Sequence, residues 1–316
     1  METGSRPFRF GVNVRSARSA SEWVEKAHRV EELGYQVFNV PDHLTDLMAP
    51  FPALVSAAAA SARLRIGTNV LNNDLRHPVL VAREAATVDL LSDGRLQLGL
   101  GAGSIRTEYE EAGLNFDRGA LRVARLAEAV AIIKQLLGGE TVTFTGNHYR
   151  IANHTIAPLP VQRPHPPILI GGNGRQLLAL AAREADIVGL GGITFGNRGA
   201  PPADFSGFRV AAVDERIKLI REAAGEERYA QLEINALLQR VIVTNDRRRA
   251  AEELTVRWPQ LTAEEILQAP YVLIGTVEEI RADLCARRQR WGISGYTVQE
   301  PYMEAFAPVV VELAGT

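Results

Sequence analysis

Two short stretches of the chain repeat one alternation. Arg63-Leu64-Arg65-Ile66-Gly67-Thr68-Asn69 and Arg95-Leu96-Gln97-Leu98-Gly99-Leu100-Gly101 each alternate apolar with polar or glycine positions. That period of two marks a strand. Between them, Val79 to Leu91 carries a helical pattern. Pro78 suits the first helical position, where its missing N–H costs nothing, and Gly94 stands where a left-handed C-terminal cap is wanted. Strand, helix and strand together predict a parallel pair with a right-handed crossover.

The same pattern extends in both directions. Further strands are expected at Phe8–Val14, Tyr35–Val40, Ile168–Ile170, Asp186–Leu190, Ile234–Thr244 and Gly295–Gln299. The first helix opens at Ser19, with Glu22 three residues on completing a capping box, and stops at Gly34. Other helices fall at Phe51–Ala62, Gly119–Leu137, Arg175–Glu184, Asp214–Ala224, Arg247–Arg257, Ala263–Gln268, Val277–Arg290 and Met303–Leu313, and a short acidic segment surrounds Tyr109. Val142 to Ile151 alternates about Gly146-Asn147, which predicts a hairpin insertion at about residues 141–151. Gly191 to Phe208 is rich in glycine and proline without periodicity, so a long mobile loop, a candidate lid, is expected at about residues 191–208.

Eight strands joined almost throughout by helices predict a single α/β domain over residues 1–316, a (β/α)8 TIM barrel with insertions. A doubly wound sheet is the alternative. Gly99-Leu100-Gly101-Ala102-Gly103-Ser104 resembles a dinucleotide fingerprint, but Ser104 stands where the third glycine belongs and the motif follows the fourth strand.

Composition narrows the class. The formal charge is −2 over 316 residues with no block of like charges, which argues against nucleic acid or an anionic membrane as partner. No apolar run reaches transmembrane length, and Met1 to Arg9 lacks the hydrophobic segment of a signal peptide. The single cysteine, Cys285, precludes an internal disulfide and reads as core filler; a cytoplasmic protein is expected.

Chemistry concentrates at strand ends, where parallel α/β folds hold ligands. Asp42-His43 follows the second strand and is the best titratable pair, histidine being able to exchange a proton near neutral pH. Thr68 to Asn73 and Gly101 to Ser104 follow adjacent strands and offer backbone that a planar ring or a phosphate can approach closely. Gly171-Gly172-Asn173-Gly174 follows a strand and opens a helix, a ready anion site. His77 reads as structural, and His148, His154 and His165 have no metal-ligand spacing.

Taken together, Val40-Pro41-Asp42-His43, Gly67-Thr68-Asn69-Val70-Leu71, Arg76-His77-Pro78, Asp93 to Gly103, and Gly171-Gly172 resemble the bacterial luciferase-like superfamily, with the blocks in family order over most of the chain. The chain is most similar to the actinobacterial oxidoreductases of that superfamily that depend on the deazaflavin coenzyme F420. Another branch uses reduced FMN and oxygen as monooxygenases. The resemblance implies a barrel holding a tricyclic ring at its C-terminal mouth, against a bulge with a non-prolyl cis peptide at Asn69–Val70. It implies that Asp42 bonds the polar edge of the ring and His43 faces the reacting carbon. Gly101, Ala102, Gly103 and Ser104 would line the ring or ribityl chain, and Gly171, Gly172, Asn173 and Gly174 would take the phosphate. Related sugar-phosphate dehydrogenases carry a glutamate where this chain has Ser104. The expectation is hydride transfer between F420 and a small organic molecule. An FMNH2-dependent monooxygenase and a non-catalytic flavin-binding barrel remain as alternatives. Family members are often dimers, so a homodimer is expected.

Overall fold

The computed structural model describes residues 6–195 and 203–316. Eight strands form the barrel: β1 Arg9–Asn13, β2 Val37–Val40, β3 Arg65–Thr68, β4 Leu96–Gly101, β5 Ile168–Gly171, β6 Ile187–Leu190, β7 Glu233–Leu237 and β8 Ile293–Gln299. Their order in the sheet is β3-β2-β1-β8-β7-β6-β5-β4, and β3 pairs in turn with β4, which closes the ring. The closing register sets Ile66 against Leu96 and Gly67 against Gln97, both pairs parallel. This is the (β/α)8 barrel that the strand count predicts; a doubly wound sheet would have left two open edges.

Among the described residues the helices are α1 Ala20–Glu32, α2 Pro50–Ala60, α3 Pro78–Leu91, α4 Arg106–Glu111, α5 Gly119–Leu137, α6 Arg175–Glu184, α7 Val210–Ala224, α8 Glu226–Tyr229, α9 Arg247–Arg257, α10 Ala263–Gln268, α11 Val277–Trp291 and α12 Met303–Leu313. None is long and apolar enough to cross a membrane. By packing the chain divides into two compact units, residues 14–28 with 38–171, and residues 1–13, 29–37 and 172–316.

In the first of these units Pro78 opens α3 as expected. The helix closes through Asp93 and Gly94, both at positive φ (52° and 74°), and the Gly94 N–H reaches the Asp89 carbonyl. The Ser19 hydroxyl accepts from the Glu22 N–H, but Glu22 takes the Arg18 N–H rather than that of Ser19, so the box is half formed. The insertion is an antiparallel hairpin, Val142–Thr145 against Arg150–His154. It runs three residues past the expected end.

The second unit holds the largest departures. The expected strand Ile234–Thr244 is two strands. Leu238 donates its N–H to Thr297 of β8, while Gln239 donates to Tyr271 outside the barrel, so the backbone changes partner between adjacent residues. Arg240–Val243 then pairs in parallel with Val272–Gly275, a strand the sequence pattern hides. A continuous apolar run carries no mark of where a strand leaves one sheet for another. The described ends of the segment at 191–208 are paired with each other. Thr194–Phe195 pairs antiparallel with Ala203–Asp204, and the Gln260 side chain bonds the Phe205 N–H and the Ala203 carbonyl. The centre of that expected loop, 196–202, lies outside the described residues. Cys285 is half-buried rather than a core filler; α11 places it at the edge of the packed face. Trp258 and Trp291 are buried in the core.

Candidate functional site

The site is built where β3 and β4 run side by side. Thr68 is fully buried and its hydroxyl both donates to the Gly99 carbonyl and accepts the Gly99 N–H, each at 2.8 Å. A Cβ on Gly99 would stand 1.9 Å from the Thr68 carbonyl oxygen, and one on Gly101 would stand 2.6 Å from Cγ2 of Val70. The glycines of β4 therefore let the segment after β3 lie down against it. That segment contains the expected cis peptide, Asn69–Val70. Asn69 and Val70 are half-buried, whereas Leu71 is covered. Leu71–Asn72 rejoins β4 opposite Leu100 and Gly101.

Asp42 anchors the bulge from the end of β2. Its carboxylate, almost fully buried, accepts the Asn72 N–H at 2.9 Å and a two-pronged bond from Arg76, one prong 3.1 Å long. Through these three donors Asp42 braces the bulge. Arg76 belonged to a recognised block, yet its role as Asp42's counter-ion was not read from sequence.

His43 is different. Its ring is 35% exposed, and its Nδ1 lies 2.9 Å from Oε1 of Glu108, a side chain only 7% exposed. The other oxygen of Glu108 faces the Leu44 N–H at 3.4 Å. Among the three glutamates of α4 only Glu108 is buried; Glu110 and Glu111 face solvent. Sequence reasoning saw an acidic segment there. The available signal was that Glu108 and Tyr109 form the inward pair of the helix.

Tyr109 ties the loops together. Its hydroxyl bonds the Asn72 side-chain oxygen at 2.9 Å and Asp74 at 3.1 Å. Burial, then the neighbouring Asp74 carboxylate, pushes its phenol up to about 12, so it stays a protonated donor at any working pH. Gly103, at φ 74°, passes so close that a Cβ would meet the Tyr109 hydroxyl at 2.0 Å. The carbonyls of Ala102 and Gly103 accept from Arg122, whose guanidinium stacks 4.0 Å above Phe116. Asp74 in turn pairs with Arg125 at 2.8 Å. Ser104 stands exposed beyond this network.

The glycine loop after β5 is of another kind. Asn173 spends its side chain on the chain after β6, accepting from Gly191 (3.2 Å) and Gly192 (2.9 Å) and donating to Ile193 (2.6 Å). Gly172 lies against Leu177, where a Cβ would come within 2.1 Å, while Gly174 has open space and caps α6 without a side-chain bond. Backbone alone is on offer there.

His77 is structural, its Nδ1 accepting the Val79 N–H at the start of α3. Among the described residues no cluster of three metal-binding side chains occurs.

The luciferase-like monooxygenase family model matches residues 5–295, and the chain belongs to that family. An F420-dependent glucose-6-phosphate dehydrogenase of Microbacterium testaceum is 35% identical over 189 residues, covering 57% of this chain and 55% of its own. The chain thus matches about half the length of such curated relatives. Two solved structures share the fold over nearly the whole chain. The coenzyme F420-dependent tetrahydromethanopterin reductase of Methanopyrus kandleri has a TM-score of 0.76 at 15% identity, covering 98% of each chain. A monooxygenase from Streptomyces bottropensis has a TM-score of 0.71 at 22% identity, covering 96% of this chain and 99% of its own.

Proposed function

We propose that this protein is an oxidoreductase that transfers a hydride between coenzyme F420 and a small organic substrate. The observation that carries the reading is the His43–Glu108 pair beside a bulge floored by Gly99 and Gly101. The names of the curated relatives, F420-dependent dehydrogenases of glucose 6-phosphate, support the choice of cofactor.

The residues fit a planar ring. The backbone of Asn69 and Val70 is raised on side-chain-free strand, and a Cβ on Gly101 would push Val70 away. When bound, F420 supplies the hydride chemistry. The chain's own work is to hold the ring and manage a proton. Asn69, Val70 and Leu71 back the ring, Asp42 and Arg76 keep that backing in place, and Gly101, Ala102, Gly103 and Ser104 flank it. In the loop Gly171, Gly172, Asn173 and Gly174 the phosphate is taken by the N–H groups at the start of α6, since Gly172 donates its own N–H to the Gly189 carbonyl and the Asn173 side chain is engaged elsewhere. His43 is the acid or base.

The second reading is an FMNH2-dependent monooxygenase, favoured by the monooxygenase fold relative. Anaerobic titration with reduced F420 and reduced FMN, followed by oxygen uptake, separates the two. Micromolar binding of the deazaflavin alone supports hydride transfer. Preference for FMNH2 with oxygen consumption makes the protein a monooxygenase, and retention of a flavin without turnover makes it a binding barrel. A homodimer belongs to the same reading and is checked by light scattering.

A further inference from the structure

We infer that Glu108 is the residue that positions His43, holding the proton on Nδ1 so that Nε2 carries the lone pair. The inference deepens the reading above, in which His43 is the acid or base, and concerns which ring nitrogen does that work.

The geometry is specific to one carboxylate. Oε1 of Glu108 lies 2.9 Å from Nδ1, and the side chain is nearly buried, so water does not compete for it. A carboxylic acid is ordinarily a stronger acid than an imidazolium by about two pH units, so a proton shared between them resides on nitrogen. An ionised carboxylate only accepts, and a neutral imidazole facing one must present N–H to it. The opposite nitrogen is then bare. Among the described residues Nε2 has no hydrogen-bond partner, and the ring is 35% exposed.

The grip is double. Oε2 of Glu108 faces the N–H of Leu44, so one carboxylate fixes both the ring of residue 43 and the backbone just after it. On the other side, Asp42 is locked by Arg76 and Asn72. His43 therefore has its main chain held from before and after, and its ring held at Nδ1.

Imidazole ¹⁵N NMR on the ligand-free protein reads the tautomer directly and does not depend on any cofactor. The wild type is expected to show His43 with Nδ1 protonated and Nε2 bare. Glu108→Gln is expected to reverse this: its oxygen pairs with the Leu44 N–H, its NH2 turns to Nδ1, and the proton moves to Nε2. Glu108→Leu removes the acceptor and is expected to do the same. In a turnover assay both variants should lose about 100-fold in kcat, the scale of a missing general base, with cofactor affinity within about twofold. An Nε2–H tautomer in the wild type overturns the inference, and this needs no variant to fold. So does an unchanged tautomer in both folded variants. If the tautomer behaves as expected but F420 does not bind, the cofactor reading falls and the role of Glu108 stands.

Discussion

Two glycine segments near strand ends, Gly99 to Gly103 and the helix start at Gly174, look alike in sequence and have opposite surroundings. Gly99 to Gly103 is pressed into its neighbours, with virtual Cβ contacts of 1.9 Å at Gly99 and 2.0 Å at Gly103. Gly174, in the loop after β5, has nothing within 4 Å. The first segment is glycine because backbone and side chains must pass, as they also do at Gly172 against Leu177; Gly174 instead starts a helix in open space. Glycine thus marks two different needs, close packing in one place and a bare helix start in the other.

Alanine substitution separates them most sharply. Gly99→Ala drives a methyl group into the Thr68 carbonyl, a backbone atom that cannot step aside. A loss of more than about 4 kcal/mol is expected, at the extreme for one substitution. Gly174→Ala should change stability by less than about 0.5 kcal/mol. Chemical denaturation of the two variants checks this, and comparable losses would erase the distinction.

The next effect tests whether charge, as well as packing, locks the first loop. Arg76→Ala leaves the Asp42 carboxylate buried with only the Asn72 N–H beside it. Removing one partner of a buried pair costs about 3 kcal/mol or more, and cofactor affinity should fall with it because the bulge loses its brace. Arg76→Lys should recover only part, since the two-pronged geometry needs the planar guanidinium. A wild-type melting curve for Arg76→Ala would show that the brace is dispensable. A smaller loss is expected from Tyr109→Phe, which keeps the ring packed on Phe116 at 5.0 Å but removes bonds to Asn72 and Asp74. The expected cost is about 1–2 kcal/mol, read from the denaturation midpoint.

Legibility followed the same divide. Local rules carried the barrel: α5, α6, α9, α10 and α12 begin and end where periodicity and glycine place them. The strand Val272–Gly275 was missed because its partner, Arg240–Val243, is as apolar as a barrel strand, and only tertiary hydrogen bonding assigns it elsewhere. At the site, Asp42 and His43 were legible as polar residues at a strand end. What each does was not. Arg76 and Glu108 lie 34 and 65 residues from their partners, a pairing that no local pattern encodes. The glycines were visible as glycines, but their opposite surroundings were not.

The hairpin is an intermediate case, and pH is the way to probe it. Glu128 on α5 reaches up to the turn and accepts the N–H groups of Asn147, His148 and Tyr149 at 2.8, 2.9 and 3.1 Å. Gly146 comes so near that a Cβ would meet a Glu128 oxygen at 2.4 Å. Partial burial works against the charge, but the three N–H donors outweigh it and hold the carboxyl below its ordinary value. The sign follows: a carboxylate with a depressed folded value adds stability at pH above its unfolded value, and loses it as pH falls through the folded one. Docking of the hairpin should therefore be constant from neutrality down to about pH 4.5 and weaken below it, near the ordinary glutamate range. Amide shifts of Asn147, His148 and Tyr149 followed by NMR should move together in that acid window. Glu128→Gln, which keeps an acceptor and removes the charge, should flatten the transition. Tyr149 links the hairpin to Asn73, one residue from Asn72, at 3.3 Å. An acid transition confined to the hairpin would show the bulge to be locked from within by Asp42, Arg76 and Tyr109. One that carries the Asn72 amide with it would make the hairpin part of the lock.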